Sequence, residues 1–148
     1  MSWAVAPGVD FNGQASLGRT QLQGGFLQTA GPATSSAWRM SLDGNCKVFG
    51  LACTAVHLSL SQPLRIERGE FSAVLPDAPQ SADDPLTFSE RRFDAAPTGR
   101  EVDLRLTGRA RLGALGRGEP AGVVSREPGN IEAAPPAAGV AFGWRTQF

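Results

Sequence analysis

The chain has 148 residues, 41% of them apolar, with 14 basic and 14 acidic side chains and a formal net charge of +0. That is one domain's worth of sequence, and the balanced charge excludes the basic surface that a nucleic-acid site or a polybasic membrane patch requires. With 18 glycines, 11 prolines and 2 methionines, the composition suits strands and turns better than helices, and the expected class is all-β.

No stretch approaches the ~18 uninterrupted apolar residues of a transmembrane helix, so any membrane crossing must be made by strands. The opening Met1-Ser-Trp-Ala-Val-Ala-Pro7 has no basic segment, and its apolar run is stopped by Pro7, so it does not read as a secretory signal. Export would require that the chain be the C-terminal part of a longer precursor, or an open reading frame that has lost its front.

From Val9 to Leu22 the residues alternate loosely around Gly13, which predicts two short strands or one with a bulge. Gly24-Gly25 and Gly31-Pro32 mark a loop. Between Ser36 and Asp43 the alternation is clean, with Trp38, Met40 and Leu42 set against Arg39, Ser41 and Asp43. Next comes a loop holding Cys46 and Cys53, the only cysteines. Their spacing fits neither a zinc site nor a redox motif. It leaves a hairpin disulfide, which implies an oxidising compartment, or two buried thiols.

Thr54 to Arg68 alternates most clearly, with Val56, Leu58, Leu60, Leu64 and Ile66 against His57, Ser59, Ser61 and Arg65. Gln62-Pro63 interrupts it, because proline cannot donate to a ladder, and this predicts a break into two strands. Phe71, Ala73 and Leu75 begin a return strand, Pro76 to Pro85 is a loop, and Leu86 to Phe93 is another strand. After a turn at Pro97-Thr-Gly99, Val102, Leu104, Leu106, Ala110 and Leu112 alternate with Glu101, Asp103, Arg105, Thr107, Arg109 and Arg111. Gly113 to Gly118 is read as a turn, Ala121 to Arg126 as a weaker strand, and Glu127 to Ala138 as a proline-rich loop. The final ten residues place Val140, Phe142, Trp144, Thr146 and Phe148 on one face, with Ala141, Gly143, Arg145 and Gln147 on the other. The expected total is roughly eight or nine strands.

Period two alone does not separate a membrane barrel from a soluble β-sandwich. Strand length does: globular strands run ~5–6 residues and tilted membrane strands ~9–11. The runs 54–66, 101–112 and 139–148 are of the longer kind. The expected fold is therefore an antiparallel up-and-down β-barrel of about eight strands, or part of a larger one, with a soluble β-sandwich as the alternative. In the barrel, Val102, Leu104, Leu106, Val140, Phe142 and Trp144 face lipid, while Glu101, Asp103, Arg105, Arg109 and Arg111 line the lumen.

Four blocks carry a family resemblance: Leu58-Ser-Leu-Ser-Gln-Pro-Leu-Arg-Ile-Glu-Arg-Gly69, Ala96-Pro-Thr-Gly-Arg-Glu-Val-Asp-Leu104, Arg126-Glu-Pro-Gly-Asn130 and Phe142-Gly-Trp-Arg-Thr-Gln-Phe148. In that order they resemble the C-terminal part of an autotransporter β-domain, of the kind attached to subtilisin-like (S8 family) serine proteases. The last block also resembles the assembly signal of outer-membrane barrels, with Gly143, Thr146 and Phe148 at its positions and Thr146 in place of a hydrophobe. The resemblance covers residues 36–148 of what reads as a single β-domain, residues 1–35 being its less regular strand region. It implies a translocator in the outer membrane, part of an exported precursor and of a barrel of about twelve strands. The partners it implies are membrane lipid, the barrel-assembly machinery and a passenger domain.

No cofactor is expected, and no catalysis. His57 is the only histidine, and its place in an alternating strand reads as a lumen-facing or surface side chain. The chain has no nucleophile elbow, no subtilisin-type Gly-Thr-Ser block, no phosphate-binding glycine loop and no His/Glu metal spacing. The family's protease activity belongs to the passenger. The soluble alternative is a structural or binding module, such as an appendage or phage component.

Overall fold

The structure is a computed structural model that describes residues 1–22, 24, 27–46, 53–78, 85–111 and 116–146. Its strands are β1 (Ser2–Ala6), β2 (Val9–Thr20), β3 (Leu27–Thr29), β4 (Ala33–Gly44), β5 (Ala55–Arg68), β6 (Glu70–Pro76), β7 (Phe88–Asp94), β8 (Val102–Arg111), β9 (Arg117–Arg126) and β10 (Ala137–Arg145). The protein is all-β, and among the described residues the only helical element is a short 3₁₀ turn, Pro128–Asn130.

Seven strands form one sheet in the order β1-β2-β4-β5-β8-β9-β10, and three form another in the order β3-β6-β7. The pairs whose register is resolved are antiparallel. The larger sheet does not close: β1 and β10 are its two ends. The expected eight-stranded closure is thus replaced by an open seven-stranded sheet, because no pairing joins the first strand to the last.

The chain divides into two compact units, one of Met1–Ser16, Ala37–Leu64 and Thr98–Phe148, the other of Leu17–Ser36 and Arg65–Pro97. The first holds β1, β8, β9 and β10 whole, with the adjoining lengths of β2, β4 and β5. In the second, β6 pairs with β7 from Glu70↔Asp94 to Pro76↔Phe88, and β3 with β6 from Leu27↔Ala73 to Thr29↔Phe71. Gly69 stands where β5 passes into β6, and a Cβ on it would lie 2.9 Å from that of Ala33, so the two chain segments meet only because the side chain is missing.

Several boundaries differ from the sequence expectation. Val9 to Thr20 is a single strand, since Gly13 stays in the ladder beside Trp3 and Phe11. Gln62-Pro63 does not break β5: the resolved β5–β8 ladder ends at Ser61↔Asp103, so the missing proline N–H falls beyond it. β9 begins at Arg117, inside the expected turn, and β10 begins at Ala137, inside the expected loop. Small residues there accept extended backbone once β9 supplies partners from Arg117↔Arg145 to Ser125↔Ala137. β1 and β3 are additional, bringing the described strands to ten. Leu112, Gln147 and Phe148 lie outside the described residues.

Candidate functional site

Register decides which side chains share a face, since residues directly opposite on paired strands point the same way. Leu58 faces Leu106 and Leu60 faces Leu104 across β5 and β8, and Leu104 faces Val124 across β8 and β9. Val124 is opposite Ala138, and Val140, Phe142 and Trp144 are opposite Gly122, Pro120 and Gly118. One side of the β5-β8-β9-β10 meander is therefore largely apolar across all four strands, with Arg126 opposite Val102 as a charged member. It contains every residue expected to face lipid: Val102, Leu104, Leu106, Val140, Phe142 and Trp144.

That side is uncovered. Leu106 is 51% exposed, Phe142 66% and Val140 92%. Trp3 and Phe11, paired at the β1 end of the sheet, stack with ring centroids 5.7 Å apart, and Trp3 is itself half exposed.

The opposite side is built from hydrogen bonds. Asn12 Nδ2 on β2 donates to Asp43 Oδ2 at 3.0 Å, the hydroxyl of Ser41 donates to the same oxygen at 3.5 Å, and His57 Nδ1 on β5 lies 2.6 Å from Asp43 Oδ1. Asp103 accepts from the Ser125 hydroxyl at 2.5 Å, and Arg109 Nε stands 3.5 Å from Glu119 Oε1. Away from the odd-numbered register of Ser41, Asp43, His57, Asp103 and Arg109, Trp38 Nε1 on β4 donates to Gln62 Oε1 on β5 at 3.0 Å, and Arg100 Nη1 donates to that oxygen as well. A concavity of about 710 Å³ is lined by Asp10, Asp43, His57, Thr107, Arg109 and Glu119 among others.

Few of the described side chains are buried, and those that are buried are small or polar. Among the described residues the buried polar side chains are Ser41, Ser59 and Gln62, while the buried apolar ones are Val9, Ala33 and Cys46. None of the latter is larger than valine, whereas a water-soluble domain of this size buries Leu, Ile and Phe. Every buried side-chain nitrogen and oxygen among the described residues has a hydrogen-bond partner.

Of the residues expected to line a lumen, Asp103, Arg105, Arg109 and Arg111 share the polar side, Arg105 lying opposite Ser59 and Val123. Glu101 precedes β8 and does something else. Its carboxylate accepts the Gly129 N–H at 2.7 Å, its own N–H donates to Asn130 Oδ1 at 2.9 Å, and Arg100 N–H donates to Glu127 Oε2 at 2.8 Å. With Gly99 N–H on the Asn130 carbonyl at 2.8 Å, these bonds clasp the segment before β8 to the β9–β10 connection. Glu127, Gly129, Asn130 and Ala133 all take left-handed backbone there. Two separated blocks of the sequence resemblance thus meet at one place.

Cys46 and Cys53 form a disulfide, Cα–Cα 5.2 Å, across the β4–β5 connection. At the C-terminal strand, Gly143 pairs with Glu119, and Thr146 follows Arg145 as an exposed residue. Phe148, the remaining assembly-signal residue, falls outside the described residues.

The sequence reading missed Trp38, Gln62 and Arg100. The available signal was Gln62 itself, a polar residue in the even register of Leu58, Leu60, Leu64 and Ile66. Among the described residues no hydroxyl or thiol is hydrogen-bonded to His57, and no three His, Cys, Asp or Glu side chains are grouped to hold a metal. No protein-family model, no curated protein and no solved structure matches the chain.

Proposed function

We propose that the chain is a wall segment of an outer-membrane β-barrel, the C-terminal part of an autotransporter translocator, and that it anchors or exports a passenger without catalysing a reaction itself. The observation that carries this reading is the division of side chains: an uncovered, largely apolar side across β5, β8, β9 and β10, backed by a hydrogen-bonded polar side. Lipid requires that combination, and water penalises it.

Strand length supports the same reading. β2, β4, β5, β8, β9 and β10 have 12, 12, 14, 10, 10 and 9 residues, against the ~9–11 of a tilted membrane strand. In the membrane the edges at β1 and β10 need partners, because each unpaired backbone group in hydrocarbon costs several kcal/mol. In this reading the two edges pair with each other or with further strands of a longer precursor. Lipid covers the apolar side, and the barrel-assembly machinery engages the C-terminal strand with Gly143, Thr146 and Phe148. Any protease activity of such a precursor lies in the passenger.

The test is to fuse a cleavable export signal to residues 1–148, express the fusion in a Gram-negative host, and run the outer-membrane fraction unheated and heated on a denaturing gel. A heat-shifted band in that fraction is the expected result. Soluble periplasmic protein with no shift overturns the proposal and leaves a soluble all-β structural or binding module in its place.

A further inference from the structure

The two outer strands of the seven-stranded sheet run in the same direction. β1 is antiparallel to β2, β5 to β8, β8 to β9 and β9 to β10. Between β2 and β4 the contacts Asn12–Asp43 and Ser16–Ala37 run in opposite senses along the two strands, as do Asp43–His57 and Trp38–Gln62 between β4 and β5. Each step along the sheet reverses the chain, so the seventh strand, β10, points the way the first does. Neither of these edges is guarded: Ser2–Ala6 and residues 137–144 contain no charge and no proline. β7, an outer strand of the smaller sheet, carries Glu90, Arg91 and Arg92, the kind of residue that repels a partner strand.

Both outer strands also divide their side chains alike. Directly opposite residues share a face, so Ser2 and Ala4 lie on the polar side with Asn12 and Asp10, and Ala137, Gly139, Ala141 and Gly143 lie there with Ser125, Val123, Ala121 and Glu119. The large residues of the same two strands, Trp3, Val140, Phe142 and Trp144, are on the apolar side. The bulk of the polar side belongs to the middle strands, with Arg39 on β4, His57 on β5, and Arg105 and Arg109 on β8. β5 is the fourth of the seven strands. In a ring made by joining the two ends, β5 stands across from the seam, and the long side chains of β4, β5 and β8 face the small ones of β1 and β10.

We infer that in the membrane β1 and β10 pair with each other in parallel, so that residues 1–148 close as a seven-stranded barrel filled by its own side chains, an anchor and not a conduit. This rests on the membrane reading above and selects one of its two ways of pairing the edges. Hydrocarbon offers an edge N–H or C=O no water to bond, which drives two free edges together. A parallel ladder is slightly weaker per residue than an antiparallel one, but it leaves no edge. A ring of about eight strands has an interior just wide enough for side chains to fill. In a ring of seven, long side chains from every strand would collide, and large residues facing small ones across the interior remove that collision.

The experiment uses exported residues 1–148 in the outer membrane, with Cys46→Ser and Cys53→Ser so that introduced thiols are the only ones. Ala4→Cys is combined in turn with Ala137→Cys, Gly139→Cys, Ala141→Cys or Gly143→Cys, oxidised with copper phenanthroline, and the linked peptides are mapped by mass spectrometry. One of the four should link within a single chain roughly fivefold more than the others, because a disulfide needs Cβ atoms within about 4.5 Å. With Ser2→Cys in place of Ala4→Cys, the preferred partner should move two residues toward the N-terminal end of β10, since parallel strands advance together. A move toward its C-terminal end means an antiparallel seam and overturns the inference. Links only between chains assign β10 to a second copy, and no link in heat-shifted protein assigns both edges to other strands; either overturns the closure while leaving the membrane reading intact. Where the serine background does not assemble, the same scan with the Cys46–Cys53 bridge kept gives the same readout. In planar bilayers wild type should show no open steps and R39A/R105A should show them. Steps in wild type as large as those of a water-filled pore overturn the filled interior. Absence of wild type from the outer membrane overturns the membrane reading, and the closure with it.

Discussion

Trp38 Nε1 donates a hydrogen bond to Oε1 of Gln62 at 3.0 Å, and Gln62 is 1% exposed, the most completely buried polar side chain described. The same oxygen accepts from Arg100, so one amide joins β4, β5 and the segment leading into β8. Gln62→Ala takes this acceptor from Trp38, which is half-buried, and from Arg100, which is exposed, and leaves a gap where the amide was. The expected loss is about 1–2 kcal/mol, for a truncated buried side chain and a lost hydrogen bond. Gln62→Glu, which retains an acceptor beside Arg100, should lose less. Denaturant titration of the refolded proteins ranks the two.

Gly99 is the tightest point of the clasp. A Cβ there would lie 2.5 Å from both the Glu132 nitrogen and the Ile131 carbonyl carbon. Backbone cannot yield as a flexible side chain can, so Gly99→Ala should destabilise by about 1–3 kcal/mol. Asn130→Ala removes the acceptor for the Glu101 N–H and puts alanine at a left-handed φ of 58°, and should cost about 1–2 kcal/mol. Proteolysis of the 127–133 connection reports clasp opening directly. Faster cleavage in Gly99→Ala than in Asn130→Ala is the expected order.

The sequence was informative where a rule acts locally. Alternation identified β4, β8 and β10 and assigned Leu104, Leu106, Val140, Phe142 and Trp144 to one side, because the period of a strand is a property of neighbouring residues. It could not reveal that Arg111, Arg117 and Arg145 stand in a row, since they are brought opposite each other only by the register of three strands. Nor could it place Glu101, whose position in the alternation matched Asp103 and Arg105 while its carboxylate turned to Gly129. Gln62-Pro63 misled for a related reason: a proline breaks a strand only where its N–H is needed, and that depends on where the partner strand stops. Trp38–Gln62 is a contact 24 residues apart in the chain, with no local periodicity to announce it.

The Cys46–Cys53 bridge closes a short loop, with the cysteines 7 positions apart. A loop of that size is worth about 2.5 kcal/mol in the unfolded-chain entropy model. Cys46→Ser/Cys53→Ser should lower stability by that order, and adding reductant to wild type should bring the two proteins together. Equilibrium unfolding with and without dithiothreitol measures both.

Asp77 should carry an acid-sensitive part of the smaller unit's stability. The Ser89 hydroxyl donates to it at 2.6 Å, Thr87 Oγ1 at 3.3 Å and Arg91 Nη2 at 3.2 Å. These contacts, with the Ser89 hydrogen bond foremost, hold its carboxyl below the ordinary value of 3.8 against an opposing desolvation effect. Because the folded value is depressed, the contribution is fully present above the unfolded carboxyl's titration and disappears as pH falls through the folded value. Asp77→Asn should therefore be less stable than wild type at pH 7 and should converge with it in strong acid. Parallel unfolding curves for the two proteins at both ends of that range would remove Asp77 from the account.

Leu106 lies mid-strand on β8, opposite Leu58 and Gly122, and is 51% exposed. A half-exposed leucine on a sheet in water tolerates arginine within about ±0.5 kcal/mol. The same substitution on the lipid face of a barrel costs about 2–4 kcal/mol near the bilayer midplane and less toward either interface. Leu106→Arg should therefore lower the heat-shift temperature of membrane-inserted protein strongly. Val140→Arg, opposite the same Gly122 and likewise mid-strand, should lower it to a similar degree, even though Val140 is the more exposed at 92%. Arg105→Leu, one residue away on the polar side, should change it little. If exposure alone governed, Val140 and Leu106 would both accept arginine freely, and the apolar side would then be facing water.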